Sequence, residues 1–360
     1  MKARMRKFAT LTLAAFIFFG PCTGLLLCSN TAIAAPIHPD FVPDSRLAPR
    51  VEFWKLIFSK YGKNNAVFHN RSHPHIIYSV LDFSGIQGKV SEREFKKQKK
   101  QTLKQETARI KEMLKRLASD GPSSDENEQR IYALYEKLGN AKRELKKAQE
   151  GKQIRSQTGI KERFRDGLVR SGRYLDSIER MFRDKGLPVE LAMMPLIESS
   201  FDYKANSSVG AAGIWQFMRA TGRLYMRVNS ALDERRDPIV ASRSATRYLG
   251  NAKKRLKTWP LAVTSYNHGV AGMARAVKNT GSSDIVEIIK RYKSRTFGFA
   301  SSNFWPELLA AIEIDKNTEK YFPGLVRENP VSFEEVKLAR SLSYGPVSYT
   351  HLTLPTICSV

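Results

Sequence analysis

Cysteine is scarce in this 360-residue chain, which contains only Cys22, Cys28 and Cys358. No cysteine lies between residues 29 and 357, so the body of the chain cannot hold a disulfide framework or a cysteine-based zinc cluster. With 42% hydrophobic and 10% aromatic residues the chain is not disordered, and its length allows two domains of ordinary size.

Long apolar runs are missing after residue 34, and the one such run extends from Leu11 to Leu27. It follows a basic start and precedes Ala32-Ile33-Ala34, a pattern typical of signal-peptide cleavage. We therefore predict that residues 1–34 are a signal peptide and that the chain is exported to the periplasm or cell envelope. An uncleaved anchor is the alternative, because the run is nearly long enough to span a bilayer. A lipid anchor is disfavoured, because Pro21 and Leu27 rather than small residues precede the cysteines.

Acidic residues are few compared with basic ones: 35 Asp and Glu stand against 60 Lys and Arg, which gives a formal net charge of +25 at pH 7. An exported protein of this charge is expected to meet a polyanion, such as a cell-wall polymer, anionic lipid headgroups or extracellular nucleic acid. A solvated, lysine-rich helical surface would produce the same composition. Charge alone therefore does not identify the partner.

Signals for β-strands are nearly absent, since no stretch shows sustained two-residue alternation and no Asn-Gly hairpin turn occurs. From residue 157 onward apolar residues instead recur at helical spacing, as in Phe164, Leu168, Leu175, Ile178 and Phe182. We predict an all-α domain over residues 157–325, preceded by a helical accessory region over residues 35–156.

The accessory region contains a stretch from Ser91 to Gln153 that is rich in Lys, Glu, Arg and Gln. Two narrow apolar stripes flank a turn at Gly121-Pro-Ser-Ser124, which predicts a basic hairpin of two amphipathic helices. Such a hairpin could lie on the wall or membrane, or it could serve only as a scaffold.

The stretch from Val51 to Phe83 mixes aromatic residues with short apolar runs, and we expect it to pack on the helices that follow. Its histidines raise the question of a metal site. We expect none, because no carboxylate or cysteine stands at ligand spacing and Pro74 interrupts the helix that would align them. The histidines are His69, His73 and His75.

The C-terminal end does not resemble the rest of the chain. Residues 326–346 are interpreted as an extension, and residues 347–360 read like the translation of an adapter used in sequencing libraries. An ordinary strand-forming tail is the alternative.

A single carboxylate, Glu198, follows the apolar run Leu191–Ile197. Counting a helix from Pro188 places Glu198 at the edge of the buried stripe. Apolar surroundings disfavour the charged form of a carboxyl group, so we expect a raised pKa that suits proton donation near neutral pH. The alternative is an exposed salt-bridge partner.

Two further segments could complete a site around Glu198. Gly210 and Gly213 allow positive φ or close helix approach, and Gln216 follows the aromatic Trp215, as in a wall where an amide binds a sugar while a ring packs on it. The sequence Tyr266-Asn-His-Gly269 is expected to end a helix, with Asn267 and Gly269 suited to cap it. The hydroxyl of Tyr266 could also face a ligand, and the two roles are compatible.

These segments resemble the lytic murein transglycosylases of the membrane-bound D type, whose lysozyme-like fold is shared with goose-type lysozymes. Glu198-Ser199 corresponds to the catalytic Glu-Ser pair, Gly213-Ile-Trp-Gln216 to the Gly-Leu-Met-Gln motif, and Ser265-Tyr-Asn267 to Ala-Tyr-Asn. Trp215 and Ser265 depart modestly from the commoner residues, and Val209 stands where some relatives have a second loop serine.

The resemblance implies that Glu198 protonates the glycosidic oxygen between N-acetylmuramic acid and N-acetylglucosamine in peptidoglycan. Glu198 would then accept the proton of the muramyl C6 hydroxyl, whose attack gives a 1,6-anhydro product. Tyr266 would orient Glu198 or the substrate's acetamido group, Gln216 and Ser207 would bind the sugar, and Asn267 would support the site. No metal and no cofactor are implied.

Three alternatives stay open at this point. A hydrolysing muramidase could use the same acid, and a non-catalytic protein could bind peptidoglycan through its basic helices. A nucleic-acid partner is not expected, because only the charge favours it and no recognition motif is present. Asp202, Asp233 and Asp237 are interpreted as loop or helix-start residues rather than as a second catalytic carboxylate.

Overall fold

The computed structural model describes residues 37–332, so the predicted signal peptide (1–34), the tail (347–360) and most of the extension (326–346) lie outside it. The helices are α1 (Ala48–Ser59), α2 (Glu92–Asp120), α3 (Glu126–Glu136), α4 (Ala141–Ala148), α5 (Lys161–Ser171), α6 (Leu175–Asp184), α7 (Met194–Glu198), α8 (Arg219–Gly222), α9 (Pro238–Leu256), α10 (Trp259–His268), α11 (Val270–Thr280), α12 (Ile285–Arg291), α13 (Phe299–Lys316) and α14 (Thr318–Tyr321). The strands are β1 (Asn65–Asn70), β2 (Ile77–Asp82), β3 (Ile154–Thr158), β4 (Ala211–Ala212) and β5 (Phe217–Met218).

Helix α13 is the central element of the larger of two hydrophobic cores. It is apolar on nearly every side, and α1, α7 and α10 all pack against it. Trp305 and Ile314 illustrate this burial, with at most 2% of either residue exposed. A helix that is hydrophobic all round has to be enclosed by other elements, and α13 is.

Local sequence fixes the ends of the helices around α13. Asp237 caps α9, because its carboxylate accepts from the backbone N–H groups of Ile239 and Val240 at 2.8 and 3.0 Å. Helix α10 ends at Gly269, whose φ of 83° is one that glycine adopts readily. The interpretation of Asp237 as a helix-start residue and the predicted end of α10 are confirmed.

Helix α1 belongs to the larger core rather than to the basic hairpin. Phe53, Trp54 and Ile57 are buried there, and α1 packs on α13 and α5. The stretch from Val51 to Phe83 therefore divides between the two cores instead of packing only on the helices that follow it.

The accessory region contains a sheet that the sequence did not indicate. Strand β1 lies between β2 and β3 and is antiparallel to both. It is buried on both faces, since Val67 joins the larger core while Ala66 and Phe68 join the smaller one. A strand buried on both faces shows no polar alternation, which explains why its pattern gave no strand signal.

The predicted two-helix hairpin is built from three helices. The turn lies where expected, between α2 and α3, but the second arm breaks into α3 and α4. Gly139 has a φ of 111° at the break, and Asn140 caps α4 by accepting from the N–H of Arg143 at 2.9 Å. Ile110, Leu114 and Ile131 lie in the smaller core as the apolar stripes predicted.

Helices make up most of the described chain, and from residue 159 onward the only named strands are the two-residue pair β4 and β5 within the described range. The predicted all-α class of this part is confirmed. Strand β3 crosses the boundary predicted at residue 157 and joins the sheet of the accessory region. Among residues 37–332, no helix is both long and apolar enough to serve as a membrane span.

Candidate active site

Glu198 is the last residue of α7, which follows a 3-10 turn at Val189–Met193. Pro195 cannot donate a backbone hydrogen bond to Leu191, and so the tighter turn precedes the α-helical one. Beyond Glu198 the backbone turns sharply, with φ of 56° at Ser200 and 55° at Phe201. Such values are uncommon for residues with a side chain, and they fix where α7 stops.

The carboxyl group of Glu198 is half-buried, and no hydrogen bond or ion pair engages it within the described residues. Burial raises its pKa to about 8. The protonated form therefore predominates at neutral pH, as the apolar sequence around Glu198 led us to expect. A neutral carboxyl group in such a place can donate a proton.

Glu307, on α13, is a second carboxyl group of the same region, and the sequence analysis missed it. Burial first, and then the charge of Glu198, raise the pKa of Glu307 to about 8, while Arg155 opposes the shift. The charge of Glu198 therefore reaches Glu307, and the two carboxyl groups interact electrostatically. A signal existed, because Glu307 is the lone acid in the apolar run from Phe304 to Ile312.

Ser199 ties the end of α7 to the Gly213–Gln216 turn. Its hydroxyl is buried and donates to the carbonyl of Ile214 at 2.9 Å, with a longer contact of 3.3 Å to the carbonyl of Pro195. Ser199 therefore has a structural role, because it holds α7, which carries Glu198, against the turn that carries Gln216.

Gly213 occupies a position that no other residue fits. Its φ is 74°, and a Cβ atom there would lie 1.7 Å from the carbonyl oxygen of Arg235. Arg235 itself is buried, donates to the carbonyls of Gly210 and Phe217 at 2.8 Å each, and pairs with Asp233 at 2.6 Å. This arginine fastens both strands of the small β4–β5 pair.

Gln216 lies at the end of this turn with a φ of 48°. Its amide nitrogen donates to the carbonyl of Gly213 at 2.8 Å and to that of Ala205 at 3.3 Å. The side-chain oxygen is the part of the amide that these bonds leave for a ligand.

Trp215 does not form a sugar-stacking wall. The residue is fully buried at 0% exposure, and its indole N–H donates to the hydroxyl of Ser242 at 2.7 Å. The expectation that a ring next to Gln216 packs on a pyranose is wrong, because the fold uses that ring in its core.

Tyr266 connects three parts of the site. Its hydroxyl donates to the carbonyl of Trp215 at 2.7 Å, and its ring stacks on Phe304 with centroids 6.3 Å apart. Burial, and then the charge of Glu198, raise the pKa of Tyr266 well above its ordinary value, so the phenol stays neutral. Tyr266 thus lies within electrostatic reach of Glu198 and close to the Gln216 turn.

The remaining predicted residues lie at the edges. Asn267 is exposed, and its side-chain oxygen accepts from the hydroxyl of Ser301 at 2.7 Å. The hydroxyl of Ser207 accepts from the backbone N–H of Ala211 at 2.9 Å within the loop before β4. Asp202 accepts from the N–H of Lys204 at 2.9 Å, which is the loop role predicted for it. Glu198 and Tyr266 therefore lie near each other, and Gln216 ends the turn that both Ser199 and Tyr266 contact. Asn267 follows Tyr266 in the chain, and Ser207 lies in the loop before β4.

The central part of the chain is similar to known proteins. Residues 177–289 match the family described as "Transglycosylase SLT domain". Membrane-bound lytic murein transglycosylase D of Escherichia coli (strain K12) is 29% identical over 218 residues, which are 59% of this chain and 45% of that protein. A putative tributyltin chloride resistance protein of Alteromonas sp. (strain M-1) is 34% identical over 113 residues, 31% of this chain and 55% of that one.

The chain spans about half the length of these curated relatives. An X-ray structure of an inactive mutant of the lytic transglycosylase Slt from Pseudomonas aeruginosa matches this chain at 19% sequence identity. The match covers 43% of this chain and 25% of that chain, with a TM-score of 0.32. The matched family segment contains all five predicted site residues and ends before Glu307.

Proposed function

We propose that this chain is a peptidoglycan lytic transglycosylase of the cell envelope, because residues 177–289 match the transglycosylase SLT domain family. One observation supports this most directly. Glu198 is a carboxyl group that burial keeps protonated near neutral pH, at the motif position where the family carries its catalytic acid.

In the proposed reaction, Glu198 donates its proton to the glycosidic oxygen between N-acetylmuramic acid and N-acetylglucosamine. The acetamido group of the substrate stabilises the anomeric carbon as the bond breaks. Glu198, now ionised, then accepts the proton of the muramyl C6 hydroxyl, and that oxygen attacks the anomeric carbon to give the 1,6-anhydro ring. Because the nucleophile belongs to the substrate, water is not consumed.

The neighbours of Glu198 take roles that their contacts allow. Tyr266 donates to a backbone carbonyl, so its hydroxyl oxygen is left to accept from protonated Glu198 or from the acetamido N–H. The side-chain oxygen of Gln216 is suited to accept from a sugar amide. Ser207 and Asn267 are proposed to contact the glycan from the loop before β4 and from the end of α10.

Glu307 favours a second candidate reaction, the hydrolysis of the same bond. Hydrolysing glycosidases use two carboxyl groups, one as acid and one as base or nucleophile. Glu307 is coupled to Glu198, and once ionised it could act as the base that activates water. With Glu307 near Glu198, the region contains the second carboxyl group that such a hydrolysis requires.

Product analysis in isotopically labelled water separates the two reactions. Purified peptidoglycan is digested in H₂¹⁸O and the fragments are analysed by mass spectrometry. Transglycosylation gives anhydro-muramic ends without ¹⁸O, whereas hydrolysis gives reducing muramic ends that carry it. A majority of labelled reducing ends would reject the transglycosylase proposal in favour of a muramidase.

Glu198→Gln tests the acid itself. We expect the release of soluble fragments to fall by about 10²–10⁴-fold, the usual contribution of a general acid, while sacculus binding persists. Asp202→Asn is the matched control, because it neutralises an acid four residues away that has only a loop contact. An unchanged lytic rate in Glu198→Gln would remove Glu198 from the mechanism.

A further inference from the structure

A large cavity among the described residues lies away from Glu198. It has a volume of about 1330 Å³, and none of the predicted site residues line it. One wall comes from α3 and α4, and the opposite wall comes from α12 and the segment leading into α13. The turn after β1 and the start of α1 complete it. We call this cavity the basic pocket.

Positive charge dominates the basic pocket. Eight of its lining side chains are Lys or Arg, whereas one, Glu144, is acidic. Glu144 already pairs with Arg143 and Lys147. Charges of one sign around a concave surface concentrate the field inside it, so an anion there is attracted strongly.

Most of these cations have no carboxylate partner within the described part of the chain. Five of the eight form no ion pair there: Arg50, Arg71, Lys290, Lys293 and Arg295. Burial lowers the pKa of Arg50 to about 10, and its guanidinium group donates only to neutral acceptors, Asn303 and the carbonyl of Ser72. A half-buried cation that lacks a counter-charge is costly, and an oxyanion ligand would offset that cost.

Helix α13 connects the basic pocket to the candidate active site. Phe299 and Ser302, in its first turns, line the pocket, while Ser301 between them donates to Asn267. Glu307 follows eight residues after Phe299, which is about 12 Å along a helix. The pocket and Glu307 thus share one helix, against which the Glu198-bearing α7 packs.

Arg155 lies between the two sites. Its guanidinium group is 4.2 Å from the centroid of the Phe299 ring. Burial and then the charge of Arg71 lower the pKa of Arg155, while Glu307 opposes the shift. Arg155 therefore neighbours a cation of the pocket on one side and the second carboxyl group of the site on the other.

We propose that the basic pocket binds the free carboxylates of peptides attached to the glycan strand that Glu198 cleaves. The inference rests on the proposed function, because those peptides are what a peptidoglycan strand carries beside its sugars. A guanidinium group matches a carboxylate with two parallel hydrogen bonds, and several arginines around a recess suit a flexible peptide with several carboxylates. A flat bilayer reaches only the rim of such a recess, which is why we favour a peptide over a membrane surface.

The double variant Arg71→Gln/Arg295→Gln tests the pocket. Neither side chain pairs with a carboxylate among residues 37–332, so its removal leaves no carboxylate unpaired in the fold. Lys97→Gln/Lys100→Gln is the matched control, because it removes the same charge from the exposed face of α2. The probe is an acidic tetrapeptide with free carboxylates, titrated by calorimetry against the Glu198→Gln protein.

We expect the peptide to bind about tenfold or more weakly to the double variant, because two guanidinium groups that could bond its carboxylates are gone. The control should bind like the parent protein, and an amidated peptide should bind the parent weakly. Equal binding of the peptide to the parent and the double variant would overturn the proposal. So would tighter binding of inorganic phosphate, or binding only to vesicles of anionic lipid. If the double variant does not fold, the comparison of free and amidated peptide decides.

Failure of the pocket and failure of the proposed function give different results. Peptide binding is measured without catalysis, so it can succeed in a protein that cleaves no glycan. Conversely, if the enzyme cleaves, the ratio of its rates on peptide-bearing and peptide-free glycan should fall about tenfold in the double variant, for the same loss of charged contacts. A ratio that stays the same would contradict the pocket while leaving the reaction in place.

Discussion

Two coupled carboxyl groups at the residue scale determine how the proposed enzyme should respond to pH. Glu198 acts first as an acid, so it must hold its proton, and activity should fall as pH rises through about 8. Ionised Glu307 repels the ionised form of Glu198 and so helps to keep it protonated. Glu307 therefore influences the protonation of Glu198 without having to contact the substrate.

Glu307→Gln removes this repulsion. We expect the pKa of Glu198 to fall, so that the alkaline limb of the pH–rate profile moves down by on the order of half to one pH unit. Glu313→Gln, a change of the same kind on the same helix, is the control and should leave the profile in place. The measurement is the lytic rate from pH 5 to 9. A loss of rate at every pH, without a shift, would instead indicate that Glu307 is the base of a hydrolytic reaction.

The same burial should make Glu198 a cost to stability. Its folded pKa is raised above the unfolded value of about 4.3, so the folded state binds the proton more tightly. The free energy of unfolding should therefore decrease as pH rises from about 4.3 to about 8. Glu198→Gln removes this penalty and should stabilise the protein at pH 7 by roughly 3–4 kcal/mol, because about 2.7 pH units at about 1.36 kcal/mol each separate pH 7 from the unfolded pKa. Urea unfolding at pH 4 and pH 7 checks the sign, since the difference should nearly vanish at the lower pH.

At the scale of elements, the turn that presents Gln216 depends on a single glycine. Gly213→Ala places a Cβ against the carbonyl of Arg235 and forces an unfavourable φ. We expect a loss of about 3 kcal/mol or more, because both backbone strain and overpacking contribute. Gly210→Ala is an informative control: its φ is 89°, but the space around it is open, so only the conformational cost of about 1 kcal/mol applies. Thermal melting of the two variants measures the difference, and equal losses would contradict the role of the Arg235 contact.

The helices after residue 157 could be predicted from sequence because their burial is one-sided and their ends carry local signals. Phe164 and Leu168 recur at helical spacing, and Asp237 caps α9 as its neighbours suggested. The sheet could not be predicted. Strand β1 is buried on both faces, and β3, with the sequence Ile-Arg-Ser-Gln-Thr, is held by backbone pairing that leaves little trace in its side chains.

Some residues of the candidate site could likewise be predicted from the sequence, and others could not. Glu198, Gln216 and Tyr266 stand in motifs that a single chain displays, and the structure brings them together. Glu307 lies 109 residues after Glu198, and only the packing of α7 on α13 makes it a neighbour. The burial of Trp215 was equally invisible, because its partner Ser242 comes from another helix. Contacts between distant elements are what the sequence could not supply.

At the scale of the whole molecule, β1 joins two cores that would otherwise be separate. Val67 faces the larger core, and Phe68 faces the smaller one. The two walls of the basic pocket come from these different cores, α4 from the smaller and α12 from the larger. The proposed recognition of peptides therefore requires both cores to be folded, and we expect β1 to make them unfold together.

Phe68→Ala tests that coupling. The substitution should cost about 3–5 kcal/mol, the usual penalty for emptying a buried phenylalanine site. All four tryptophans lie in the larger core, whereas Phe68 lies in the smaller one. Tryptophan fluorescence therefore reports the unfolding of a core that does not contain Phe68. The tryptophans are Trp54, Trp215, Trp259 and Trp305. We expect the denaturation midpoint by tryptophan fluorescence to fall together with that by far-ultraviolet circular dichroism.

Val80→Ala, on the exposed face of β2, is the control for a change in the same sheet, and it should move neither midpoint appreciably. If Phe68→Ala lowers the dichroism midpoint alone, the smaller core unfolds independently. The wall formed by α4 could then open while Glu198 and its neighbours stay folded, and the pocket would lose its peptide before the active site loses its acid. If both midpoints fall together, the walls of the pocket separate only when the entire described fold unfolds. The free energy of opening the pocket is then the free energy of unfolding the protein.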